Sequence, residues 1–110
     1  MESGTVTEWM TKNKISDENI NFIETVLTFT SSVKIIPDKQ DVINENLKTL
    51  FPSKKVIIKP DLTFQEFTQI LKDSDLEVDP VELLNKYRSQ GVCVNLCDEL
   101  LNDGKTNNTF

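Results

Sequence analysis

Lys72–Asp79, KDSDLEVD, holds the densest set of ionisable groups in the chain, with Asp73, Asp75, Glu77 and Asp79 at every second position. Alternate carboxylates are what a calcium-binding loop offers at its first, third, fifth and seventh positions. The rest of such a loop is missing. Its sixth position, which needs glycine, is Val78; its eighth is Pro80; its twelfth, which needs a bidentate Glu, is Leu84. A solvated linker between helices explains the four acids more simply.

The other reactive side chains are Cys93 and Cys97, spaced i, i+4. On a helix that spacing shares a face but seldom bridges well. Without a histidine anywhere in the chain, two thiols do not complete a usual zinc set. They read as small buried hydrophobes in a reducing compartment. The lack of histidine also removes the commonest general base, and neither a Gly-rich phosphate loop nor a nucleophile elbow occurs. The expectation is a protein that is not an enzyme, with no metal and no cofactor.

A net charge of −6 and a pI near 4.6 argue against nucleic acid, whose binders need a basic face. An acidic surface suits a partner with a basic segment. No apolar run follows the polar Met1–Lys14 segment, and no stretch reaches the 18 or so apolar residues of a span. Neither a signal peptide nor membrane insertion is expected, and the location is read as cytoplasmic.

A chain of 110 residues makes one domain. Val6, Trp9 and Met10 mark a short helix from about Thr5, with Trp9 laid onto the core, in a loosely attached segment 1–14. Ser16 is an N-cap, with Asp17 and Glu18 in a first turn. Ile20, Ile23, Leu27 and the adjoining Phe22, Val26 and Phe29 make a wide apolar face that touches two neighbours. Thr28–Ser32 loses helix propensity, and Val33–Ile36 reads as extended. Pro37-Asp38 restarts the chain, Ile43, Leu47, Leu50 and Phe51 define the next helix, and Pro52 stops it. Val56-Ile57-Ile58 reads as extended. Phe64, Phe67, Ile70 and Leu71 form a further helical stripe. Asp79-Pro80 opens a helix with Val81, Leu83, Leu84 and Tyr87, which Gly91 ends. Val92-Cys93-Val94 is β-prone, Leu96, Cys97, Leu100 and Leu101 form a last helix, and 102–110 reads as a disordered tail. The fold class is mainly α: five or six short helices in one domain, 1–101. Lys34–Asp38 and Ile57–Asp61 echo each other as short β-prone runs before a proline and could pair as a small ladder.

Leu62, Thr63, Phe64, Glu66 and Phe67 follow one another as do residues at the exit of an EF-hand loop, and Leu47–Phe51 resembles an entering helix that ends in Leu-Phe. The stretch between departs from that pattern. With Glu66 at the twelfth position, Lys55, Ile57 and Lys59 stand where oxygen ligands belong and Pro60 replaces the glycine. A second unit over Val81–Leu101, with Tyr87, Ser89, Gly91 and Asp98 at ligand positions, is equally unsuited to calcium. The region Val42–Leu101 thus resembles a degenerate, calcium-free EF-hand protein of the calmodulin and myosin light-chain group. That resemblance implies paired helix–loop–helix units with short β contacts between loops, and a calcium-independent subunit clasping a basic amphipathic helix of the IQ type. The lining it implies is Phe64, Phe67, Ile70, Leu71, Leu83, Leu84, Tyr87, Leu96, Leu100 and Leu101, though most of these must be core. The alternative is a helical regulatory adaptor of the death-fold or viral Bcl-2-like kind, or a structural subunit of a multiprotein assembly. A bundle around a buried central helix, Asp17–Phe29, favours the adaptor.

Overall fold

The computed structural model describes residues 6–54, 56–76 and 78–106, and over them the chain forms six α-helices and one turn of 3-10 helix at Pro37–Lys39. The helices are α1 (Val6–Lys12), α2 (Asp17–Ile35), α3 (Gln40–Leu50), α4 (Phe64–Asp73), α5 (Pro80–Ser89) and α6 (Val94–Thr106). The radius of gyration, 13.5 Å, matches the roughly 13 Å of a compact chain of this length.

Helix α2 organises the rest. Ser16 Oγ accepts the Asn19 N–H at 3.2 Å to start it, and two apolar stripes leave it in different directions. Ile20, Ile23 and Leu27 join α1, α4, α5 and α6 in one cluster. Phe22, Val26 and Val33 join Ile43 and Leu47 of α3, Phe51 and Ile58 in a second. The Phe22 and Phe51 rings meet edge to face at 5.3 Å, and the Lys54 ammonium lies over Phe22. The helix runs on through Ile35, past the point where Val33–Ile36 was expected to become extended. Thr30 and Val33 are fully buried on the stripe begun by Phe22 and Val26, and that burial outweighs the weak local preference.

Three helices stop in the same way. Lys14, Asp75 and Gly91 each adopt positive φ, and the residue after each, Ile15, Leu76 or Val92, donates its N–H back to Met10, Leu71 or Tyr87. These are Schellman ends, each with an apolar residue just past the turn to cover it. Gly91 does what its place in the sequence suggested, as do Asp79 and Pro80 at the opening of α5, where Asp79 Oδ1 accepts the Val81 N–H at 2.9 Å.

Three expectations need correction. Of the segment 1–14 expected to be loosely attached, residues 6–14 are anchored, since Val6 and Met10 are buried in the first cluster and the Lys86 ammonium caps the half-buried Trp9 ring; residues 1–5 lie outside the described residues. Residues 102–106 continue α6, because Asp103 Oδ2 accepts the Phe64 N–H at 2.8 Å and so ties α6 to the start of α4; residues 107–110 lie outside the described residues. The β contact between connectors does not form among the described residues. Residues 34 and 35 remain in α2, and the other connector is held by a side chain instead.

Candidate docking groove

The connector between α3 and α4 is pinned at one residue. Ile58 is buried, its N–H donates to Asn44 Oδ1 at 2.6 Å, and its carbonyl accepts from Asn44 Nδ2 at 3.0 Å. Pinning Ile58 inward turns its neighbour Ile57 outward, where it is 70% exposed. Beside it, Val56, Ile57, Lys59 and Leu62 form one wall of a cleft of about 440 Å³, and Glu66, Ile70 and Asp73 of α4 form the other. A second cleft of about 510 Å³, lined by Ser53, Lys54, Val56, Asp73, Ser74 and Asp75, meets it at Val56 and Asp73. Apolar side chains thus stand on both walls, and the end shared with the second cleft carries Asp73 and Asp75 beside Lys54.

The α4 wall is rigidly started. Thr63 Oγ1 accepts the Glu66 N–H at 3.1 Å, Glu66 Oε1 accepts the Thr63 N–H at 2.9 Å, and Asp103 takes the Phe64 N–H. Glu66 is also ion-paired with Lys59 across the cleft mouth. Hydrogen bonding from Lys59, aided by the Thr63 N–H, holds the Glu66 carboxyl below its ordinary range, and the same bond raises Lys59. The residue that the EF-hand resemblance places at a calcium ligand therefore completes a capping box and a surface ion pair. A capping box needs Thr-x-x-Glu before an apolar stripe, which is the pattern of Thr63–Glu66.

The ten residues expected to line a partner trough are placed otherwise. Phe64, Phe67, Leu71, Leu83, Leu84, Tyr87, Leu96, Leu100 and Leu101 are all buried in the first cluster, so they face one another and not a partner. Ile70 alone of the ten reaches the surface, half-buried, packed against both clusters and lining the groove. Burial, aided by the charge of Glu24, pushes the Tyr87 phenol above its usual range. Sequence reasoning did not assign Asn44, Ile57 or Asp73 to a docking surface; the outward Ile of the Val56–Ile58 run was the available signal.

No family model matches the chain, and no curated protein or solved structure is significantly similar to it.

Within the groove, Asp73 Oδ1 accepts from Gln69 Nε2 at 2.8 Å. Elsewhere Asp79 caps α5, and among the described residues no three His, Cys, Asp or Glu side chains converge as metal ligands. Cys97 is buried, its thiol points at the Val92 carbonyl, and burial with the neighbouring Cys93 pushes its pKa up to about 12, far from a reactive thiolate. Among the described residues no helix is long and apolar enough to cross a membrane.

Proposed function

We propose that this chain is a non-enzymatic, protein-binding helical adaptor whose partner presents a basic amphipathic segment. The observation that carries the reading is the groove between residues 56–62 and α4, with Ile57 and Ile70 on facing apolar walls and Asp73 and Asp75 at one end. Apolar side chains of a partner would cover Ile57, and its cations would meet the acidic end, in line with the net charge of −6. A light-chain-like clasp would need α4, α5 and α6 to part and expose nine buried residues, so the partner belongs on the outside. The central α2, shared by both clusters, is the arrangement favouring an adaptor. Two unbridged thiols, Cys93 and Cys97, suit a cytoplasmic setting.

The test is fluorescence anisotropy with a labelled amphipathic leucine/lysine peptide, run with calcium and with chelator, on the wild type and on Ile57→Lys. Saturable binding, equal in both conditions, weakened by salt and cut about tenfold or more by Ile57→Lys, is expected. Binding only with calcium, or absence of binding by this peptide and by an extended basic peptide alike, would overturn the adaptor reading.

A further inference from the structure

One residue's N–H and carbonyl point the same way only where the backbone is extended. The carboxamide of Asn44 engages both groups of Ile58, so Ile58 is extended and Asn44 stands where the N–H and carbonyl of one residue of a neighbouring strand would. Along an extended chain, successive residues turn these groups to opposite sides. Those of Ile57, and the N–H of Lys59, therefore face away from Asn44. Among the described residues nothing hydrogen-bonds to the Ile57 N–H or carbonyl, or to the Lys59 N–H. One edge of this short run is thus occupied by a side chain and the other is open, beside an apolar cleft.

We infer that the open edge at Val56–Lys59 accepts an extended peptide of another protein, added as a strand, with alternate apolar side chains entering the cleft over Leu62 and Ile70. The inference rests on the adaptor reading and adds to it the conformation of the partner. Main-chain bonds to Ile57 and Lys59 supply affinity and the cleft supplies selectivity. The cleft, about 440 Å³, lies within the range of about 300–1,000 Å³ found for ligand pockets. The carboxylate of Asp73 on the far wall favours a basic residue in the added strand. A second copy of this chain is the poorer occupant. Antiparallel self-pairing centred on Ile57 would set Lys59 across from the position of Lys55, like charges directly opposed, and Pro60 brings no N–H to extend the ladder.

The probe is a labelled peptide of alternating valine and lysine, in three forms: unmodified, N-methylated on one alternate set of amides, and N-methylated on the complementary set. Binding of the unmodified form, lost about tenfold or more with one set methylated and kept with the other, is expected, because a strand shows only every second N–H to its neighbour. Amide exchange at Ile57 and Lys59 should slow in the complex, and Ile57→Pro, which removes one open donor from an exposed site, should weaken binding while the circular dichroism spectrum is unchanged. Equal effects of the two methylated sets, or a dimer of the free protein that protects Ile57, would overturn strand addition. If the leucine/lysine helix binds in an Ile57-dependent way and the alternating peptide does not, strand addition fails and the adaptor reading stands; if neither binds, both fail.

Discussion

Asn44 makes two hydrogen bonds to one buried backbone residue, so its removal leaves a donor and an acceptor at Ile58 without partners. Asn44→Ala should destabilise the fold by about 2–3 kcal/mol, measured by urea unfolding; a loss under about 0.5 kcal/mol would show that water replaces the clamp at no cost. Glu66 makes a pH-dependent contribution. Its folded-state pKa lies below the ordinary 4.5, so the stabilisation is complete above that value and is lost as pH falls through the lowered one. Glu66→Gln keeps a side chain able to cap and removes only the charge facing Lys59. Because both partners are about 37% exposed, the difference from wild type should be small near neutrality and vanish in strong acid. A gap that widens on acidification would contradict the ion pair. The Asn44 clamp was not legible locally: nothing near Ile58 reports that its partner lies 14 positions upstream.

Helix ends give the sharpest tests at the next scale. A Cβ on Gly91 would meet nothing within 4 Å, so the cost of Gly91→Ala comes from its φ of +76° alone, about 1 kcal/mol. Lys14 already bears that strain at φ 65°, and Lys14→Gly should raise stability by a similar amount. Opposite shifts in thermal midpoint would establish both ends; shifts of the same sign would refute the common motif. The helices themselves could be read from apolar spacing, and so could the openings at Ser16, Thr63 and Asp79. Two limits could not. The end of α2 depends on Thr30 and Val33 being buried, which a window over Thr28–Ser32 does not reveal. The extension of α6 depends on Asp103 meeting Phe64, 39 positions away. The stripe Phe64, Phe67, Leu71 looks the same in sequence whether it faces a core or a partner, and burial decides for the core.

In the whole molecule, α2 belongs to both apolar clusters and Ile70 touches both, so the two should melt together. Ile43→Val lies in the second cluster, while Trp9 packs on the first. The substitution should lower stability by about 1 kcal/mol, and Trp9 fluorescence and far-ultraviolet circular dichroism should move by the same amount. Separate midpoints for the two probes would mean that α2 joins the clusters without coupling them. The tie between Asp103 and Phe64 bears on how the protein is made. Residues 22–58, which hold the second cluster's buried side chains, leave the ribosome well before the first cluster can be completed from Val6 through Leu101. The N-terminus of α4 gains its last cap only when residue 103 has been added. Synthesis therefore delivers the Asn44–Ile58 side of the groove before the bond that ties α4 to α6, so a nascent chain presents the Val56–Ile58 edge beside an α4 not yet tied to α6 until Asp103 has been added.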